Sequence, residues 1–373
     1  MDSGKSVLVV GAGAIGLWIG RYLTSQCKVT LATGAEQSAK ALRASKGTRL
    51  IRVPFEKEAQ RGAATYGMSA WEQTMLSANL SPVAEGRLFL GDSGSEWLEK
   101  NAVSMKAGGG NLQQLSGSSL QRMMTEAGYR PGDSADGLFD KEAFVVDVEQ
   151  VLCSIRQTLS QDATIILSTV VGIKKEHGKF SVSFESRGES TTKTFDAVIL
   201  ATGAWSNSEM HQAFFPDVQL TITQERSFVY GSHQRIQKPL AVIDGRNFNQ
   251  QVTPYCLPTP GKRKIRVSSQ GLGPTLAKIE DESTQDLPRL YALEKYGNQA
   301  LSEGFIADEI NVCRYTCSSD YLPHIWRSPV SENLLLVTGD SGGGFSLAPA
   351  LGYLASKRLF SETDDVSWEK FFN

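Results

Sequence analysis

The segment Asn311 to Asp320, NVCRYTCSSD, sets two of the five cysteines four residues apart beside Arg314 and Tyr315. A thiol in such company can ligate a metal, close a disulfide or, as a thiolate, attack an electrophile, and a neighbouring cation favours the thiolate. Zinc needs a second pair of ligands, and the four histidines, His177, His211, His233 and His324, are isolated. Cys27, Cys153, Cys256, Cys313 and Cys317 are scattered and odd in number, which fits free thiols in a reducing compartment better than a disulfide framework. Two readings of Cys313 remain: a nucleophile, or a small apolar residue in a strand, the commonest fate of a free cysteine.

Two cationic segments join it as candidates. In KGTRLIR, Lys46 to Arg52, the arginines Arg49 and Arg52 are three apart and on a helix would share a face. Taken alone they read as a solvated pair. In PGKRKIRVSS, strand alternation turns Lys262, Lys264 and Arg266 to one side and Arg263 to the other; most strand lysines are only solvated.

These residues need a frame, and the N-terminus supplies its first part. KSVLVVGAGAIGLWIGRYL runs from the apolar stretch Val7 to Val10 through Gly11-x-Gly13-x-x-Gly16 into helix formers, and KVTLAT follows as a second strand. Gly11 permits the tight turn, Gly13 lets backbone approach a pyrophosphate, and Gly16 lets the helix pack closely with its N–H groups aimed at the phosphates. The rival is a plain glycine-rich turn. An acidic residue normally ends the second strand to hold a ribose; here Ala32-Thr33-Gly34 stands there, with Thr33 as a weaker partner or Glu36 reaching back.

Further along, ATIILSTVVGIKKEHGKFSVSFES reads as antiparallel strands turning at His177-Gly178, because Phe180, Val182 and Phe184 alternate with polar residues. The apolar run Ala197 to Leu200 then enters ATGAW, with Gly203 and Trp205, and near the end NLLLVTGDSGGGF repeats the pattern of strand, glycine-rich turn and helix. Both crossings point at one site. The polar, less regular regions between them read as a second, interleaved domain. Expected boundaries are 1–80, 142–213 and 311–373 for the dinucleotide domain, and 81–141 with 214–310 for the other. The fold class is α/β (α+β overall): a Rossmann-like dinucleotide-binding domain with an interleaved substrate domain on a mostly antiparallel sheet.

Composition excludes several partners. The 373 residues carry 38 basic and 40 acidic side chains, a formal net charge of -2, so there is no footprint for nucleic acid or an anionic membrane. No run of 18 apolar residues occurs. The expectation is a cytoplasmic protein with a small-molecule partner and no metal.

In their order, the N-terminal fingerprint, KGTRLIR, ATGAW, VCRYT and GDSGGGF resemble the flavin amine oxidases that include monomeric sarcosine oxidase, N-methyltryptophan oxidase, pipecolate oxidase and the fructosyl-amino acid oxidases called amadoriases. The Cys-x-Tyr-Thr segment about thirty residues before a glycine-rich, helix-opening turn is the most telling. The resemblance implies FAD held by a thioether from Cys313 to the flavin 8α-methyl, with Cys317 a bystander. It implies Arg49 beside the flavin ring, Arg52 on a substrate carboxylate, Tyr315 as a pocket wall and Lys264, with Lys262 as rival, over the flavin where oxygen is reduced. Cofactor contacts are further expected from Ala14, Ile15, Thr33, Lys46, Thr48, Val171, Gly203, Trp205, Asp340, Gly342, Gly343, Gly344 and Phe345. Lys46 occupies the neighbourhood where relatives carry a histidine. Ser346 stands where several relatives have a lysine that helps hold the carboxylate.

The resemblance implies oxidation of the carbon alpha to the nitrogen of a secondary amine or amino acid, with O2 reduced to H2O2, by a monomeric enzyme. An amadoriase-like activity is the nearest alternative. A nicotinamide-dependent dehydrogenase and a non-catalytic flavin-fold protein are alternatives of other classes.

Overall fold

A computed structural model describes residues 4–34, 47–53, 58–107, 109–131, 135–246, 253–269, 271 and 273–361. The continuous apolar runs become the buried strands of a six-stranded sheet, in the order His324–Ser328, Ser331–Thr338, Ala197–Leu200, Ser6–Val10, Lys28–Thr33, Ala163–Leu167. All pairs are parallel except the first. Parallel strands are covered on both faces, which is why their sequences do not alternate. The helices Ala14–Leu23, Val148–Leu159 and Gly344–Leu359 cover one face. Two of them approach so closely that a Cβ on Gly352 would lie 2.7 Å from the Trp18 backbone.

The other face is covered by a three-stranded antiparallel sheet, Thr169–Glu176, Lys179–Ser186 and Glu189–Phe195. Its alternating Phe180, Val182 and Phe184 bury against Leu8, Val10, Val198, Leu200, Leu334 and Leu336. The tight turn reads as expected: His177 and Gly178 both have positive φ, 51° and 79°, the twist a two-residue hairpin requires.

A ten-stranded, mostly antiparallel sheet forms the second layer system. Its main path runs Thr275–Leu276, Thr221–Gly231, Lys264–Ser269, Pro254–Pro258, Ala241–Asp244, Ala84–Asp92, Ala135–Asp147, Thr48–Ile51. The strand Ile306–Cys317 pairs along Thr221–Gly231, and Leu112–Ser116 along Ala135–Asp147. Sheet membership therefore cuts across the expected boundaries. Thr48–Ile51 and all of Ile306–Cys317 belong to the second sheet, so Arg49 and Cys313 are both presented from that sheet. Arg49 lies within the strand Thr48–Ile51 and Arg52 just past its end, so the two do not share a helical face.

Between Ala84–Asp92 and Ala135–Asp147 lies a buried ion pair. Arg87 donates to Asp140 Oδ2 from Nε and Nη2 at 3.2 and 2.7 Å, reaches the Val53 carbonyl, and stacks over Phe89 at 4.6 Å. Removing one partner strands a buried charge. Asp140→Ala is expected to cost about 3–5 kcal/mol, read as a lowered urea midpoint; a loss below about 1 kcal/mol would mean that water reaches the guanidinium.

Candidate functional site

The N-terminal turn has the geometry its glycines imply. Gly11 adopts φ 110° and donates to the Ala32 carbonyl at 2.7 Å, and a Cβ on Gly16 would lie 1.8 Å from the Gly11 carbonyl oxygen. Gly13, by contrast, faces open space, with nothing within 4 Å of an added Cβ. That leaves room for phosphate at the start of the helix bearing Ala14 and Ile15. Arg156, from the helix Val148–Leu159, supports the loop by donating to the Ala12 carbonyl at 3.1 Å. Thr33 ends its strand, and nearby Leu167 and Val171 are 70% and 52% exposed. Val171 falls at a register shift that bulges its strand. Apolar groups exposed beside a dinucleotide turn fit an adenine ring. Glu36 and Lys46 lie outside the described residues.

The second crossing begins at Gly203, whose added Cβ would meet nothing within 4 Å, followed by the half-exposed Trp205. The carbonyl of Gly203 accepts from Thr316 Oγ1 at 3.0 Å, tying this loop to the cysteine-bearing strand. Behind it, His211 Nε2 meets Thr202 Oγ1 at 2.8 Å and Nδ1 meets Ser208. Burial pushes this imidazole down to about 4, so it is neutral at physiological pH and acts as a brace.

The third crossing is the turn before the helix Gly344–Leu359. Asp340 is folded against its start: a Cβ on Gly344 would strike the carboxylate, and the amides of Gly342 and Gly344 both bond it. Burial raises Asp340 to about 6 against these bonds and the pull of Arg49. Phe345 stacks on Trp71 at 4.7 Å and gives its carbonyl to the indole N–H at 3.1 Å. Ser346 Oγ donates to the Leu50 carbonyl at 2.9 Å, so its hydroxyl is spent on backbone.

The reactive residues meet opposite this wall. Cys313 and Tyr315, two apart on Ile306–Cys317, share a face, and Tyr315 lies against the open side of Gly342, where a Cβ would sit 2.7 Å from the ring. Arg49 enters from Thr48–Ile51 and Arg266 from Lys264–Ser269; they donate to the same carbonyl, Thr48 O, at 2.9 and 3.2 Å. Burial, then the neighbouring Arg266, lower the Arg49 pKa, while Tyr315, Cys313 and Tyr255 oppose the shift. The Tyr315 phenol is driven well up, first by Tyr255, then by burial. For Cys313, burial outweighs the pull of Arg49, Arg266 and Arg314, and the thiol pKa is raised. Arg266 Nε and Thr48 Oγ1 are buried with no hydrogen-bond partner among the described residues. The orphaned Arg266 Nε, beside Arg49, is a donor that a bound polar ring would satisfy.

Of the expected site residues, Arg49, Cys313, Tyr315, Asp340 and Gly342 are brought together. Lys264 is not. Its ammonium pairs with Asp308, both about half exposed, at the outer end of the strand. Arg266, two residues inward on the same side, takes the place beside Arg49. Arg314, expected near the thiol as a cation, points to the opposite side and donates to the carbonyls of Ile279 and Asp281 at 3.2 and 2.7 Å. Arg52 follows the strand and is partly buried. Sequence reasoning passed over Arg266, Tyr255 and Glu225 as site residues. Alternation already placed Arg266 with Lys264, whereas nothing local marks the other two.

No curated protein sequence matches the chain. Among solved structures, NikD, described as an unusual amino acid oxidase essential for nikkomycin biosynthesis, superimposes with TM-score 0.81 at 15% identity, covering 98% of this chain and 97% of that one. L-proline dehydrogenase from P. horikoshii gives 0.78 at 17% identity over 100% and 97%. A cysteine double mutant of Amadoriase I from Aspergillus fumigatus gives 0.77 at 15% identity over 98% and 88%. These likenesses establish the fold. Residues 6–358 match the DAO family of FAD dependent oxidoreductases, and the chain belongs to that family.

Proposed function

We propose that the protein oxidises the C–N bond of a secondary amine or N-substituted amino acid to an imine, with FAD attached covalently through Cys313 and dioxygen reduced to hydrogen peroxide. The observation that carries this reading is the meeting of Cys313 with Arg49, Arg266 and Tyr315 against the third glycine-rich turn. That cluster and the N-terminal turn would hold FAD, which would supply a hydride acceptor able to return electrons to oxygen.

The chain's own residues bind and orient. Gly11 and Gly13 would receive the pyrophosphate, with Gly16 letting the helix pack onto the turn, Val171 and Leu167 would hold the adenine, and Gly203 with Gly342 to Phe345 would border the flavin. Tyr255 and Tyr315 wall the substrate side, Tyr315 as a neutral phenol. Arg52 holds a carboxylate without help from position 346, because Ser346 is engaged with Leu50. A single cation favours bulkier acids or substrates with other head groups. No strong base is required where the amine binds uncharged. Two of the structural neighbours act on amino acids by their names, and one of those substrates, proline, is itself a secondary amine.

The test is anaerobic mixing of the purified yellow protein with a panel of primary amines, secondary amines, N-methyl amino acids and cyclic imino acids. Flavin absorbance should bleach with secondary amines and return on admitting air, with one peroxide formed per turnover. No bleaching across the panel would remove the amine oxidase reading.

A further inference from the structure

The antiparallel pairing of Thr221–Gly231 with Ile306–Cys317 puts Glu225 directly opposite Cys313. Directly opposed residues point to the same face with Cβ atoms about 4.5–5.5 Å apart. Thr223 stands likewise opposite Tyr315, so the carboxylate lies on the reactive side of the sheet. Glu225 is 5% exposed. Its Oε1 accepts from the Gly273 amide at 2.7 Å and from Thr223 Oγ1 at 2.9 Å, and its Oε2 faces Arg289 at 3.4 Å. A buried acid fixed this firmly beside a partly buried thiol asks for a purpose.

Resting on the covalent attachment proposed above, we propose that Glu225 is the proton acceptor that converts the Cys313 thiol to the thiolate that joins the flavin. The thiol needs such help. Arg49, Arg266 and Arg314 favour its ionisation, but burial and the Glu225 charge prevail, and it stays protonated. The acceptor is suited to it: burial raises Glu225 above the ordinary carboxylate range against the opposing effects of Gly273, Arg289 and Thr223, with Asp286 adding to the rise. In the attachment step the S–H bond breaks and its proton passes to Glu225. A C–H bond of the flavin 8α-methyl breaks, the S–C bond forms, and two electrons pass into the ring. The two hydrogens released end on the reduced flavin, and dioxygen then removes them as hydrogen peroxide.

The full-length chain, produced flavin-free under riboflavin limitation, would be mixed with FAD and sampled by mass for the covalent increment, as wild type, Glu225→Gln and Glu225→Asp. In parallel, alkylation of Cys313 by iodoacetamide against pH would report its ionisation. Removing a negative neighbour should lower the pH at which Cys313 ionises in Glu225→Gln, yet attachment at pH 7 should slow by about a hundredfold. Raising the pH should restore it, and Glu225→Asp should recover part of the rate. The two readouts move in opposite senses only if Glu225 takes the proton. Attachment in Glu225→Gln that is unchanged, or faster in step with the thiolate, would overturn the proposal. A wild type that acquires no increment would instead overturn the anchor itself, and Glu225 with it.

Discussion

Cys313→Ala is expected to fold, bind FAD and turn yellow, yet lose all of its flavin to the supernatant on acid precipitation, whereas the wild type carries its flavin into the pellet. The retained fraction should fall from nearly complete to none, because the other contacts, made by the glycine-rich turns and helix starts, exist only in the folded state. Mass of the denatured chain gives the same answer independently. The result also separates the two neighbouring thiols. Cys317 shares the face of Cys313, but four residues of extended strand place it about 13 Å away, and it is only 2% exposed. It cannot inherit the link. Flavin that stays with Cys313→Ala would therefore point to an anchor on another element, and loss of flavin from the wild type would make Cys313 a structural thiol.

How far the sequence exposes this arrangement depends on the range of the interactions that settle each part. The first βαβ unit is legible because its demands are local: Gly16 is required by the carbonyl of Gly11, five residues away. The hairpin of Phe180, Val182 and Phe184 is legible for the same reason. The segment Thr48–Ile51 is not, since it is a strand only by pairing with Phe144 to Asp147, almost a hundred residues on; read locally, its arginines suggest a helical face. Glu225 has no local signature at all. Its meaning comes from register with a cysteine 88 residues later, and register is a property of the folded sheet. Alternation sets Lys264 and Arg266 on one side. What the sequence could not display was Asp308, which takes the lysine out of the cluster and leaves the arginine in it.

That exchange has a kinetic consequence, the second large effect. Arg266→Met is expected to slow reoxidation of the reduced enzyme by about 10²–10³-fold, while Lys264→Met changes it by no more than about twofold. A cation accelerates electron transfer to oxygen when it is held where superoxide charge develops and when little water screens it. Arg266 meets both conditions: Nη2 is fixed on the Thr48 carbonyl, and Nε is buried without a partner among the described residues. Lys264 meets neither, because a half-exposed ammonium already paired with Asp308 acts through high dielectric at a distance. Stopped-flow separates the half-reactions: anaerobic reduction by amine, then mixing of the reduced protein with oxygenated buffer. Reduction should suffer far less than reoxidation in Arg266→Met, and Arg266→Lys should keep most of the rate, since charge rather than the guanidinium fork is what the step uses. If Lys264→Met proves the slow variant, the Asp308 pair must open when the cofactor is in place, and the lysine, not the arginine, would be the oxygen-facing cation.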